Sequence, residues 1–138
     1  MARLLHDFNT EFCEPTPDVE VLTARLRDLL SKDEILVLLV GEGPYGLALL
    51  RFRPSLWSET LEAHLEELYV VPDRRGQGLG RALMDEAMDA ARAAGASRMD
   101  LGTSVSDIAA RELYESSGFT NHERLPDGPS MLMYERDL

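Results

Sequence analysis

The chain has 138 residues, 44% hydrophobic and 28% charged, a balance typical of one globular domain with a sizeable core. Its net charge of −11 argues against nucleic acid as a partner, and without an apolar run of about 18 residues we expect no membrane span. With one cysteine, no zinc-type Cys/His spacing and no visible secretory or transit signal, we expect a cytoplasmic protein without a metal or an internal disulfide.

The N-terminal stretch predicts two helices. Residues 2–13 carry leucine and phenylalanine at helical spacing, and Pro15 and Pro17 end this helix. Asp18 is a suitable N-cap for a second helix that runs to about Ser31.

Three strands follow. The unbroken apolar run Ile35–Val40 predicts a strand that is buried on both faces. A turn over residues 41–44 connects it to a second strand, Tyr45–Arg53, and a long third strand covers Leu61–Val71.

The apolar alternation of the third strand is interrupted. Leu61, Ala63 and Leu65 alternate with polar residues, but Glu67 stands where the next apolar residue is expected. A β-bulge near Glu66–Glu67 would restore the alternation.

A glycine-rich basic turn connects this strand to a helix. Pro72 ends the strand, glycines stand at 76, 78 and 80, and an apolar face runs from Leu79 to Ala94, with Gly95 as a left-handed cap. A helix N-terminus offers unpaired N–H groups and a partial positive charge, to which the arginines at 74, 75 and 81 add. These features predict a phosphate-type anion site, and the alternative is a tight turn that only closes a strand–helix unit.

The segment Arg75-Gly76-Gln77-Gly78-Leu79-Gly80 resembles the Arg/Gln-x-x-Gly-x-Gly/Ala signature of the GNAT superfamily of N-acetyltransferases. It fits a P-loop poorly, because Gly80 is followed by Arg81-Ala82 and not Lys-Ser/Thr, and its glycines do not have the dinucleotide spacing. The resemblance implies acetyl-CoA as co-substrate. Backbone amides of residues 75–80 would hold its pyrophosphate, and the main chain of Leu68 and Val70 would pair with its pantetheine arm.

The C-terminal part contains a second motif. After a short strand, Arg98–Thr103, a helix from Asp107 to about Ser117 is expected, ended by Gly118. Residues 107–119 resemble the family's Asn-x-x-Ala-x-x-Leu-Tyr-x-x-x-Gly-Phe, with Asp107 in place of the usual asparagine and its amide donor. A final hairpin is predicted from residues 121–124 and 130–135.

Tyr114 matches the tyrosine with which family members protonate the leaving thiolate, a step that suits a phenol with a pKa of about 10. The alternative is a core tyrosine. The cofactor-binding residues that the resemblance implies are Leu68, Tyr69, Val70, Arg75, Gly76, Gln77, Gly78, Leu79, Gly80, Arg81, Asp107 and Tyr114.

The adjacent carboxylates of the third strand are candidates for the catalytic base. An amine must lose a proton before it attacks a thioester, and a nearby carboxylate can take that proton directly or through water. The sequence Leu65-Glu66-Glu67 is similar to a pattern of polyamine and aminoglycoside acetyltransferases. Glu66 is the first choice and Glu67 the second, and the alternative is that both are solvated edge charges. His64 is a weaker candidate.

We therefore expect a single domain over residues 1–138, an α/β fold with a mixed, mostly antiparallel central sheet and helices on both faces. The family's strand before the first helix is expected to be missing. The expected reaction is direct transfer of an acetyl group from acetyl-CoA to a primary amine of a small, cationic molecule. Alternatives are a protein acetyltransferase acting on lysine or an N-terminus, and a non-catalytic CoA-binding module. A homodimer through exposed strand edges is a further expectation.

Overall fold

A computed structural model of the chain describes residues 1–123 and 128–138. The chain forms two compact units, Met1–Leu101 and Gly102–Leu138. The elements of the first unit are α1 (Ala2–Glu11), α2 (Val19–Ser31), β1 (Ile35–Val40), β2 (Gly46–Pro54), β3 (Leu61–Val70), a 3-10 turn (Pro72–Arg74), α3 (Leu79–Ala93) and β4 (Ala96–Leu101). The second unit contains α4 (Ile108–Ser116).

The four strands form one mixed sheet in the order β1-β2-β3-β4. The pairs β1–β2 and β2–β3 are antiparallel, whereas β3 and β4 are parallel and connected through α3. The mixed, mostly antiparallel sheet predicted from the sequence is therefore confirmed.

Helices cover both faces of this sheet. Leu47, Leu49 and Tyr69 belong to a buried cluster with Leu4 of α1 and Leu26 of α2. Since successive strand residues point to opposite faces, the even-numbered residues of β2 lie on the other face, where α3 contacts all four strands. The first unit is thus a three-layer arrangement, as predicted, and its core forms because each helix buries one apolar side.

Several local predictions were wrong. The strand β1 is an edge strand and is not buried on both faces, since Leu39 is 49% exposed. Helix α1 ends at Glu11, two residues early, and Cys13 already has a left-handed backbone with φ of 59°. Asp18 is the N-cap residue of α2, as predicted, although its side chain makes no capping hydrogen bond. The last strand, β4, begins at Ala96 and ends at Leu101.

The second unit confirms the predicted helix and its caps. Asp107 caps α4 by accepting a hydrogen bond from the backbone N–H of Ala110 at 3.0 Å, and Gly118 beyond the helix has a φ of 91°. The predicted final hairpin is reduced to one antiparallel bridge, His122 to Ser130, and residues 131–138 have no regular structure. Part of its predicted turn, residues 125–127, lies outside the described residues.

Candidate active site

A β-bulge at Glu66 divides β3 into two parts. Leu65 lies opposite Leu50 and Glu67 lies opposite Leu49, so no residue of β2 lies opposite Glu66 in the strand register. The predicted bulge is confirmed. The bulge moves the odd-numbered residues of β3 from the α3 face to the α1 face. Glu67 therefore lies on the α1 face together with Tyr69.

Beyond the bulge, one side of β3 has no neighbouring strand in the described part of the chain, because β4 pairs only with residues 61–65. Val71 donates its N–H to the carbonyl of Tyr45, on the β2 side, at 2.9 Å. Because backbone groups alternate in direction along an antiparallel strand, those of Leu68 and Val70 point away from β2. Both N–H groups and the C=O of Leu68 are therefore directed where an extended amide chain can pair with them, whereas the C=O of Val70 accepts from Arg75 Nε.

The glycine-rich turn after β3 fits a phosphate group. Gly76 and Gly78 have left-handed backbones, with φ of 72° and 81°, which glycine adopts without strain. Gly78 is the N-cap of the 15-residue helix α3 and provides no capping side chain. The first N–H groups of this helix have no intrahelical acceptor. Residues 72–78 are all exposed, and Arg81 lies in the first turn of α3.

The adjacent glutamates differ in their surroundings. Glu66 is exposed and forms an ion pair with Arg51 of β2, whose Nη2 lies 3.3 Å from its Oε1. Glu67 is half-buried, and this burial raises its pKa to about 7, with a further contribution from the charge of Glu66. A carboxyl group with such a pKa exchanges its proton near neutral pH.

Charged side chains continue along the same sheet face towards the start of β3. We call this group the charged cluster; its members are Arg51, Arg53, Glu62, His64 and Asp100. Arg53 donates to Glu62 at 2.9 Å and to Asp100 at 2.6 Å, and His64 Nδ1 contacts the other oxygen of Asp100.

The charge state of Asp100 follows from these contacts. Burial alone would raise its pKa, but hydrogen bonds from His64 and Arg53 outweigh burial and hold the pKa below its usual value. Asp100 therefore stays ionised near neutral pH, and its charge is partly balanced by its partners.

Arg75, the first residue of the glycine signature, is bound to α1. Its Nη1 and Nη2 donate to the two carboxylate oxygens of Glu11 at 2.7 and 2.8 Å, and its Nε donates to the carbonyl of Val70 at 2.9 Å. Tyr69 Oη donates to Glu11 at 3.0 Å. One side chain thus connects the last residue of α1, the end of β3 and the glycine-rich turn.

The two residues predicted from the second motif lie on the second unit. Tyr114 is on α4, and its ring packs edge-on to Phe119 with centroids 6.3 Å apart. The carboxylate of Asp107 accepts the capping hydrogen bond from Ala110. The proposed roles of Tyr114 and Asp107 towards CoA stay predictions.

The sequence analysis missed Glu11, Arg51 and Asp100. Glu11 and Arg75 are 64 positions apart, so no local sequence pattern predicts their contact. Arg51 was predictable in principle, because the hairpin register and the bulge together place it beside Glu66.

The described residues contain no helix that is long and apolar enough to cross a membrane. Nor do residues 1–123 and 128–138 bring together three or more His, Cys, Asp or Glu side chains that could hold a metal ion.

Comparison with known proteins places these features in context. The sequence matches the model of the acetyltransferase (GNAT) family over residues 1–119. The fold superimposes on the crystal structure of an acetyltransferase from Arthrobacter sp. FB24 with a TM-score of 0.90 and 46% identity, over 99% of this chain and 87% of that one.

Two relatives of known name match shorter segments. Mycothiol acetyltransferase of Beutenbergia cavernae is 45% identical over 69 residues, which are 48% of this chain and 23% of that protein. The ribosomal protein bS18-alanine N-acetyltransferase of Escherichia coli is 43% identical over 58 residues, which are 42% of this chain and 39% of that protein. The matched segments thus span less than half of either relative.

Proposed function

The chain belongs to the GNAT family of acetyltransferases, and we propose that it transfers an acetyl group from acetyl-CoA to a primary amine of a small, cationic molecule by direct attack. Acetyl-CoA supplies an activated thioester. The residues of the chain then have to bind the co-substrate, polarise the thioester carbonyl, remove a proton from the amine and return one to the thiolate. Each of these tasks has a candidate.

The main support for this proposal is the bulge at Glu66, because two features of β3 meet there. It brings the half-buried Glu67, with its pKa of about 7, onto the α1 face. It is also the point beyond which Leu68 and Val70 direct their backbone groups away from β2 without a described neighbour strand. A base and a set of backbone donors are thus three residues or fewer apart.

For the co-substrate, we assign the pyrophosphate to the backbone N–H groups of residues 75–80 and the pantetheine arm to Leu68 and Val70. The left-handed Gly76 and Gly78 and the exposed N-terminus of α3 support this assignment. The N–H of Val70 would donate to the thioester oxygen, where negative charge develops during attack.

For the base, we propose Glu67 before Glu66, which reverses the order expected from the sequence. A general base works best with a pKa near the working pH, and the pKa of Glu67 lies there. Glu66 is already engaged by Arg51. Tyr114 remains the proposed acid for the thiolate, a role that rests on the family motif.

For the acceptor, we propose a cationic amine. In and beside the charged cluster, the four carboxylates of Glu62, Glu66, Glu67 and Asp100 outnumber the two guanidinium groups of Arg51 and Arg53. The whole chain carries a net charge of −11, which attracts cations over a distance. Location in the cytoplasm, dimerisation and a single domain over the whole chain remain proposals.

A second candidate is acetylation of a protein N-terminus. The similarity to the ribosomal protein alanine acetyltransferase over 58 residues favours it. The substrate would then be a peptide amine, and the same base and backbone donors would serve.

The two candidates separate in one assay. Thiol release from acetyl-CoA would be measured across polyamines, aminoglycosides, amino acids, lysine peptides and peptides with N-terminal alanine. We expect turnover on a small polycation. Turnover on peptides alone would support the second candidate, and CoA binding without turnover on any amine would contradict both.

A further inference from the structure

Glu11 lies outside every motif of the sequence, yet its side chain contacts the glycine-rich turn. Both of its carboxylate oxygens accept hydrogen bonds from Arg75, at 2.7 and 2.8 Å. Bidentate pairs of this kind fix the plane of the guanidinium as well as its position. The hydrogen bond from Arg75, aided by that from Tyr69, outweighs partial burial and holds the pKa of Glu11 below its usual value. Glu11 is therefore charged at neutral pH.

The same guanidinium is held on two further sides. Its Nε donates to the carbonyl of Val70, and its carbon lies 5.6 Å from the centroid of the Tyr69 ring. The Tyr69 hydroxyl closes the ring of contacts by donating to Glu11. An ordinary surface ion pair joins two side chains, whereas this one joins α1, β3 and the turn that follows β3.

Helix α1 packs on the same face of the sheet as Glu67. Phe8 packs against the Tyr69 ring at 5.2 Å, and Leu4 is fully buried in the cluster with Leu47 and Leu49. Arg75 is thus connected to α1 both through Glu11 and through the Tyr69 ring that packs against Phe8.

We propose that Glu11 is a positioning residue that acts through Arg75 and couples acetyl-CoA binding to the placement of α1. The inference rests on the proposed function, since it takes the turn to be the pyrophosphate site. Anchoring of Arg75 pre-organises the backbone N–H groups that bind the phosphates. By linkage, a ligand that binds the anchored turn more tightly stabilises the anchored state, and with it the C-terminal end of α1.

The test compares wild type with Glu11→Gln, which loses one acceptor oxygen and the charge, and Glu11→Ala, which loses the whole contact. Glu14→Gln is the matched control, because it removes the same charge three residues away, at an exposed site. Thermal unfolding of each variant without ligand reports whether the fold is intact. The probe is CoA itself, titrated by calorimetry, so no acceptor needs to be known.

We expect both Glu11 variants to bind CoA about fivefold more weakly, the upper range for a partly exposed ion pair. The control should bind as wild type does. Hydrogen exchange gives the second readout. CoA should slow exchange of the amides of Phe12 to Glu14, which follow α1 and donate to its last carbonyl groups, in wild type and control but not in Glu11→Ala. A merely structural role would lower the melting temperature without removing this protection.

If Glu11→Ala binds CoA as tightly as wild type does, or keeps the CoA-dependent protection of amides 12–14, the coupling is overturned. Acetyl transfer by the wild type would still support the proposed function in that case. Failure of the wild type itself to bind CoA would overturn the proposed function, and the coupling with it.

Discussion

The two parts of β3 on either side of Glu66 belong to one strand but have different neighbours. Residues 61–65 have β2 on one side and β4 on the other, and their polar side chains are engaged in the charged cluster. Residues 67–70 have β2 alone among the described strands, and the side chain of Tyr69 is buried against α1. The first part pairs through its backbone on both sides and carries charged side chains, whereas the second pairs with a strand only on its β2 side in the described part of the chain. One inserted residue thus separates the region that we propose for the amine from the region that we propose for the co-substrate.

The largest expected effect distinguishes the two residues at this boundary. Glu67→Gln should lower kcat by about 100-fold or more, because loss of a general base has effects of roughly that size. Glu66→Gln should change kcat by less than about threefold, since the side chain is an exposed ion-pair partner. Steady-state kinetics on the best acceptor from the amine panel measures both. Equal losses in the two variants would mean that the bulge does not separate their roles.

A change in the glycine-rich turn should weaken acetyl-CoA binding without affecting the amine. Gly78→Ala forces a φ of 81° on a residue with a Cβ, at a cost of roughly 1–2 kcal/mol. Relaxation of this strain displaces the phosphate-binding N–H groups and weakens binding by a similar free energy. We therefore expect KM for acetyl-CoA to rise about tenfold, since about 1.4 kcal/mol of lost binding corresponds to a factor of ten. KM for the amine should not change.

Gly43→Ala is the control for this variant, because Gly43 also has a positive φ, 109°, and open space around its Cβ position, but lies in the β1–β2 turn. It should destabilise the fold without affecting KM for acetyl-CoA. A parallel rise of KM in both variants would mean that general destabilisation causes the effect.

The half-burial of Glu67 should also appear as a pH dependence of stability. The folded protein keeps this proton up to a pKa of about 7, whereas the unfolded chain releases it near 4.5. The stabilisation is therefore complete below pH 4.5 and is lost as pH rises through 7. Glu67→Gln should be more stable than wild type at pH 8 by about 1–2 kcal/mol after allowance for solvent screening, and equally stable at pH 4. Melting curves across this range measure the gap, and a gap that does not vary with pH would contradict the assignment.

The smallest effect concerns Arg51. Its removal in Arg51→Met leaves the charge of Glu66 uncompensated, which should raise the pKa of Glu67 by about half a unit. The acidic limb of the kcat/KM profile, where protonation of Glu67 removes the base, should move to higher pH by that amount. Arg53→Met is the matched control, since Arg53 lies on the same strand and face but pairs with Glu62 and Asp100. A similar shift in the control would show that the whole cluster sets this pKa.

Local chemistry made much of this molecule predictable. Left-handed glycines, helix caps at Asp107 and Gly118 and the broken alternation around Glu66 are each encoded within a few residues. The edge position of β1 was not predictable, because an apolar run is the same whether or not a strand lies beside it. The proposed preference for Glu67 over Glu66 could not be derived from the sequence for a related reason. Burial and the ion pair to Arg51 depend on the partner strand and not on the two adjacent glutamates themselves.

The charged cluster has a consequence for how this protein can change. None of the described charged side chains is buried, and within the cluster the side-chain exposure ranges from 21% for Glu62 to 56% for Arg53. Exposed ion pairs contribute about 0–1 kcal/mol each, so they can be exchanged with little loss of folding stability. The glycine turn has less freedom, since the left-handed backbones of Gly76 and Gly78 strain other residues. Under the proposed function, acceptor preference can therefore change by mutation on one half of the sheet face while co-substrate use stays fixed. A library that varies residues 51, 53, 62, 64 and 100 is the natural starting point for engineering new substrates.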